Sequence, residues 1–171
     1  MLVKKDRLNQ MHIATNTSSG KIDISSEKIT AEIAKEFSNI LENGDLVFLI
    51  GDMGVGKTTF VRYLINEFQK KNNFELTEVT SPTFNILNEY QIGDLNIKHY
   101  DLYRLKEFNE INNLGILDDA KNSLILIEWP KLLLNNLTDF TMLSFSYSKD
   151  CLLYTSPSPR DLSTSRMPSS A

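Results

Sequence analysis

Residues 51 to 60, "GDMGVGKTTF", lie between the apolar run "DLVFLI" and "VRYLINEF", whose apolar residues recur at helical spacing. A buried strand, a glycine-rich turn and a helix in that order make a phosphate-binding unit, which commits the chain to an α/β fold. Gly51, four residues, then Gly56, Lys57 and Thr58 satisfy the pattern G-x-x-x-x-G-K-[ST]. In that pattern the loop backbone, from Gly51 through Asp52, Met53, Gly54 and Val55 to Gly56, turns its N–H groups onto the phosphates. The helix that starts near Lys57 adds its unpaired N–H groups and the positive end of its dipole. Lys57 is positioned to reach the outer phosphates as a point charge, Thr58 to offer its hydroxyl to Mg²⁺, and Thr59 to touch the inner phosphate. A chance match in an ordinary strand-turn-helix arises in well under about one in a hundred chains of this length.

Composition matters for what it excludes. The chain has 171 residues, enough for one domain with one core, and 41% of them are hydrophobic. A single cysteine, Cys151, rules out a disulfide framework and a cysteine-cluster metal site, which fits a reducing compartment such as the cytoplasm. No apolar run reaches the roughly 18 residues that would span a membrane, and the first 20 residues contain no secretory apolar core. Met11 is an alternative start. The formal charge is −4, so a broad basic surface for nucleic acid is not expected.

The expected elements follow an α/β order with no internal repeat or linker. "SSEKITAEIAKEFSNIL" supplies a serine cap and then Ile29, Ile33, Phe37, Ile40 and Leu41 on one helical face. The phosphate loop leads into a helix running to about Gln69, with Phe60, Val61, Leu64, Ile65 and Phe68 inward. "TFNILNEYQIGDLNIKHYDLYRL" alternates Phe84, Ile86, Tyr90 and Ile92 with polar residues, turns at Gly93 and Asp94, and returns through Leu95, Ile97 and His99 as a hairpin. A helix over 106–114 precedes "NSLILIEWP", a continuous apolar strand of the sheet's centre. "TMLSFSY" is expected as the last strand. The domain is therefore placed at residues 22–149, with a flexible extension at 1–21. Residues 150–171, rich in serine and proline, are read as a disordered or translated non-native tail such as adapter read-through.

Two carboxylates fall at the ends of strands. Glu128 ends "LILI", where the second acidic residue of a phosphate-loop enzyme sits, and the competing reading is an exposed strand-end carboxylate. Asp101, in "HYDLYR", also ends a strand. It stands either beyond the sheet with the ligand, or as a helix cap or partner of Arg104. His99 reads as a half-buried strand residue, since one histidine beside Asp101 makes no metal site.

Four segments in order, "GDMGVGKTT", "TSPTFNILNEY", "HYDLYRL" and "LILIEWP", together resemble the TsaE (YjeE) family, small ATPases needed for threonylcarbamoyl modification of adenosine 37 in transfer RNAs. The resemblance implies a P-loop NTPase-like three-layer sandwich with a mixed sheet and a β-hairpin insertion. It implies that Lys57 and Thr58 hold phosphate and Mg²⁺, that Glu128 completes the metal site, and that Asp101 is catalytic or orients water. Ser81, Pro82 and Thr83 would form a switch-like loop near the outer phosphate, and Trp129 would sit close to the bound ATP or ADP. Tyr103 and Arg104 would serve either structure or a partner. The implied partners are the TsaD and TsaB subunits that transfer the threonylcarbamoyl group, with tRNA engaged only indirectly. The family continues past the strand matching "FTMLSFSY" with a segment that finishes the sheet, and here the tail stands in its place. Rival readings are a small P-loop kinase, for whose arginine-bearing lid this chain has only Arg62 and Arg104 besides Arg7 in its body, and an ATP-binding interaction module without turnover. A GTPase is disfavoured because no N-K-x-D motif is present.

Overall fold

The computed structural model describes residues 20–24, 26–118, 120–137, 139–147 and 152–156. Its centre is the apolar pair read from the sequence. Strand β2 (Leu46–Ile50) runs parallel to β5 (Leu124–Glu128), all five of whose residues are buried. Parallel strands β6 (Thr141–Ser146) and β4 (Leu95–Asp101) flank that pair, and β3 (Leu87–Ile92) adds to β4 as the antiparallel hairpin. With β1 (Gly20–Asp23) and β7 (Leu152–Ser156) the sheet has seven strands in the order β1-β7-β6-β2-β5-β4-β3.

Helices cover both faces. On one side lie α1 (Glu27–Phe37) and α2 (Lys57–Lys71). The Ser26 side chain caps α1 by accepting from the Lys28 N–H at 3.3 Å. Ile33, Ala34 and Phe37 then turn inward against Phe60, Leu64 and Phe68 of α2, with Phe37 edge-on to Phe60 at 5.6 Å. The other side carries α3 (Phe108–Asn113), started by a capping box between Glu107 and Glu110, and a 3-10 turn at Pro130–Leu132. Ile111, Ile116 and Leu133 pack there on Phe48, Tyr100, Ile125 and Ile127. Each fully buried Leu, Ile or Phe removes enough apolar surface from water to contribute about 1.5–3 kcal/mol, so the two cores hold the sheet from either side. The result is the expected three-layer α/β sandwich with a mixed sheet.

The structure departs from the sequence reading in two places. Phe84 is 85% exposed and outside any strand. The apolar alternation breaks at Ile86, whose φ of 68° cannot continue a strand, and β3 begins only at Leu87. Nor is "TMLSFSY" the last strand. Residues 152–156, assigned from the sequence to a disordered tail, pair antiparallel with β6 and with β1, which itself begins before the predicted domain boundary. Leu152, Leu153, Tyr154 and Thr155 are strand formers whose signal is lost when averaged with the serines and prolines that follow. The remainder of the predicted tail, and the extension before Gly20, lie outside the described residues. No helix among the described residues is long and apolar enough to cross a membrane.

Candidate functional site

Side chains alternate across a strand, so Ile97, His99 and Asp101 of β4 share one face. Leu124, Leu126 and Glu128 of β5 share the same face, because Ile97, Leu124 and Leu126 all join the core under α1 and α2. The register sets Asp101 opposite Glu128, and Glu128 opposite Leu49 of β2. Two buried carboxylates therefore end neighbouring parallel strands at one level, beside the loop that leaves β2.

That loop needs its glycines. Gly51 has φ 149°, and a Cβ there would sit 2.4 Å from the Phe145 carbonyl oxygen, so the loop leaves β2 in contact with the β6 backbone. Gly56 caps α2 at φ 106°, a conformation that a side chain would strain. The exposed Met53 lends its carbonyl to the Tyr147 hydroxyl at 3.2 Å, which ties the loop to the end of β6.

Around the loop the predicted residues converge unevenly. Lys57 is only 4% exposed, and its ammonium donates to the Gly51 and Asp52 carbonyls, each at 2.8 Å. It also lies 4.2 Å from the centre of the Trp129 ring. Burial pushes the Lys57 pKa below its ordinary value, and the carboxylates of Glu128, Asp101 and Asp52 oppose that shift. The Thr58 hydroxyl donates to Glu128 Oε1 at 2.7 Å. Trp129 adopts φ 58°, places its ring 4.8 Å from that of Tyr103, and anchors its own N–H on the Leu49 carbonyl. Thr59 is half-buried on the first turn of α2.

Asp101 belongs to a second cluster. Its Oδ2 accepts from Thr83 at 2.6 Å and Ser81 at 3.0 Å, and its Oδ1 accepts the Tyr103 backbone N–H at 3.0 Å. The carboxylate thus holds the Ser81–Thr83 loop and caps the turn after β4. Arg104, the alternative ion partner, lays its guanidinium over the Phe84 ring at 5.7 Å.

The sequence reading underestimated His99. It is fully buried, and its Nε2 lies 3.0 Å from Glu128 Oε1, the same oxygen that accepts from Thr58. Its Nδ1 is buried with no hydrogen-bond partner among the described residues. An unsatisfied buried nitrogen costs about 1–3 kcal/mol, so this histidine is not explained by packing. The sequence shows His99 two residues before Asp101 on one face of a strand, and only the pairing of β4 with β5 brings it to Glu128.

The donor set also bears on Mg²⁺. No group of three or more His, Cys, Asp and Glu among the described residues could hold a metal without help. Mg²⁺ at a phosphate loop is held instead by a hydroxyl and one or two carboxylates, with phosphate oxygens and water completing its shell. Thr58 and Glu128, joined by a hydrogen bond and backed by His99, fit that requirement.

Comparison with known proteins bears on the family and the fold. The family model described as threonylcarbamoyl adenosine biosynthesis protein TsaE matches residues 24–151. The tRNA threonylcarbamoyladenosine biosynthesis protein TsaE of Rickettsia typhi is 44% identical over 115 residues, 67% of this chain and 77% of the relative. The protein of the same name from Aquifex aeolicus is 32% identical over 109 residues, 64% of this chain and 75% of the relative. The crystal structure of Bacillus subtilis YdiB superposes with a TM-score of 0.63 at 22% identity, over 86% of this chain and 90% of the other, which is a likeness of fold. With the family model spanning both carboxylates, the phosphate loop and the strands that present them, the chain belongs to the TsaE family.

Proposed function

We propose that this protein binds and hydrolyses ATP with Mg²⁺ in support of threonylcarbamoyladenosine formation at position 37 of tRNA, acting in the cytoplasm on a transferase complex of TsaD and TsaB. The observation that carries the reading is the Thr58–Glu128 hydrogen bond at 2.7 Å, which joins the phosphate loop to the buried end of β5. A phosphate-loop hydroxyl and a strand-end carboxylate at this distance are the two protein groups that a nucleotide-bound Mg²⁺ requires.

Each residue then has a defined task. Backbone N–H groups from Gly51 to Gly56, with Thr59 at the helix start, receive the phosphates of ATP or ADP. Lys57 exchanges its two carbonyl acceptors for phosphate oxygens, and burial makes that exchange favourable because the ammonium is already stripped of water. Trp129, its ring 4.2 Å from the Lys57 ammonium, sits close to the bound nucleotide. Thr58 and Glu128 would hold the metal, which when bound would neutralise charge on the outer phosphates. Asp101 orients the attacking water and accepts its proton. Its hydrogen bonds to Ser81 and Thr83 make that role depend on where the 81–83 loop stands.

The test combines chemistry with biology. ATP turnover is measured for the purified protein alone and with TsaD and TsaB, and modified adenosine is quantified in tRNA from a strain depleted of its own TsaE and complemented by this chain. Slow turnover alone, stimulation by the subunits and restored modification are expected. Restored modification by a variant that binds ATP but does not turn it over would reduce the protein to a nucleotide-dependent binding module.

A further inference from the structure

We infer that His99 is a positioning residue for the Mg²⁺ carboxylate: its ring fixes the rotamer of Glu128 and thereby sets the affinity for the metal–nucleotide pair. The inference rests on the nucleotide site proposed above and concerns a residue that touches neither phosphate nor metal.

Three observations carry it. The His99 ring is fully buried on β4, and its Nε2 lies 3.0 Å from Glu128 Oε1 across a distance of 29 residues in sequence. An ionised carboxylate only accepts hydrogen bonds, so the proton of this contact belongs to Nε2, and Oε1 receives two donors, His99 and Thr58. Two donors on one oxygen, one from β4 and one from α2, hold the carboxylate plane and leave Oε2 outside both bonds. Holding a ligand's orientation in this way is how residues behind a metal site tune it.

The third observation separates function from packing. Nδ1 has no partner among the described residues although it is buried. A residue placed for stability at this position would be apolar, as Ile97 and Leu126 are on the same face. The fold retains an unsatisfied nitrogen in order to keep the Nε2–H donor, a trade often met where stability yields to activity.

The experiment compares His99→Leu and His99→Gln in the full chain. Calorimetry gives the affinity for ADP with Mg²⁺ and with the metal chelated, and thermal melting gives stability. His99→Leu should stay folded and bind metal-free ADP as wild type does. It should lose tenfold to a hundredfold of the Mg²⁺-dependent enhancement, the range found when a carboxylate loses the group that orients it. His99→Gln, whose amide can return an N–H to Glu128, should recover most of that loss. A folded Leu variant with the full Mg²⁺ enhancement overturns the inference. So does a folded Gln variant that behaves no better than Leu. A wild-type protein whose ADP affinity ignores Mg²⁺ overturns the metal site itself and this inference with it, an outcome readable even if no turnover is found.

Discussion

The two ends of the parallel strands are built on different principles. At the amino end, polar groups satisfy one another through ordinary hydrogen bonds. Asn43 donates to the Asp94 carbonyl at 2.7 Å and accepts the Asn96 N–H at 3.1 Å, and the Asn96 amide donates to Ser123 at 2.9 Å. At the carboxyl end of the same strands sit a buried ammonium, two buried carboxylates, an orphaned imidazole nitrogen, and two large residues, Ile86 and Trp129, at positive φ. The first arrangement closes the hairpin onto β2 and β5. The second gathers cost at one place, as sites that must bind and react commonly do. One sheet thus separates holding together from acting.

The contrast is open to direct attack, beginning where the effect is largest. Asp101→Asn keeps the size of the side chain but removes the base, so partner-stimulated ATP turnover should fall on the order of a hundredfold. ATP affinity should stay within a few-fold by calorimetry. Wild-type turnover with modification lost would instead make Asp101 a packing or partner residue, and the carboxyl end would lose its chemical role. Next, Lys57→Ala should weaken ATP and ADP binding about tenfold or more, since charge-assisted contacts to phosphate are worth roughly 1.5–3 kcal/mol. Equal calorimetric affinity for the variant would remove the loop from the site.

Gly51→Ala tests the strain directly. The new methyl meets the Phe145 carbonyl oxygen at 2.4 Å in a backbone conformation that disfavours any side chain, so melting should show a loss of about 1–3 kcal/mol. Nucleotide affinity should fall with it, because the loop cannot move off β6 without leaving its phosphate-binding shape. The smallest effect belongs to the other end. Asn96→Ala should cost about 1 kcal/mol of stability through one lost side-chain hydrogen bond and leave ADP affinity unchanged. If it altered affinity instead, the two ends would be coupled and the contrast would fail.

What the sequence disclosed follows the same division. Strand β2, its glycine loop and α2 were legible because a local pattern, apolar run then glycines then helical spacing, encodes all three. Glu128 and Asp101 were legible as strand ends, and the register adds that they face each other. His99 was not, because its meaning lies in a partner on another strand, and a single histidine in an alternating stretch has no local signature. Phe84 misled in the opposite direction, since its apolar character fitted a strand that only the backbone at Ile86 forbids. The β7 strand was hidden because a window wide enough to average composition is wider than its five residues.

The bracing of the phosphate loop by β6 has a consequence of its own. Mechanically the loop is a beam rooted in β2, whose Leu49 carbonyl accepts the Trp129 backbone N–H, and held on the β6 side by Tyr147 on Met53 and by the Gly51 contact with Phe145. The chain just beyond Ser146 thus meets the phosphate cradle through the Tyr147 hydroxyl and the Phe145 carbonyl. A label, graft or insertion at Tyr147 would act as a handle on nucleotide binding from a residue outside the loop.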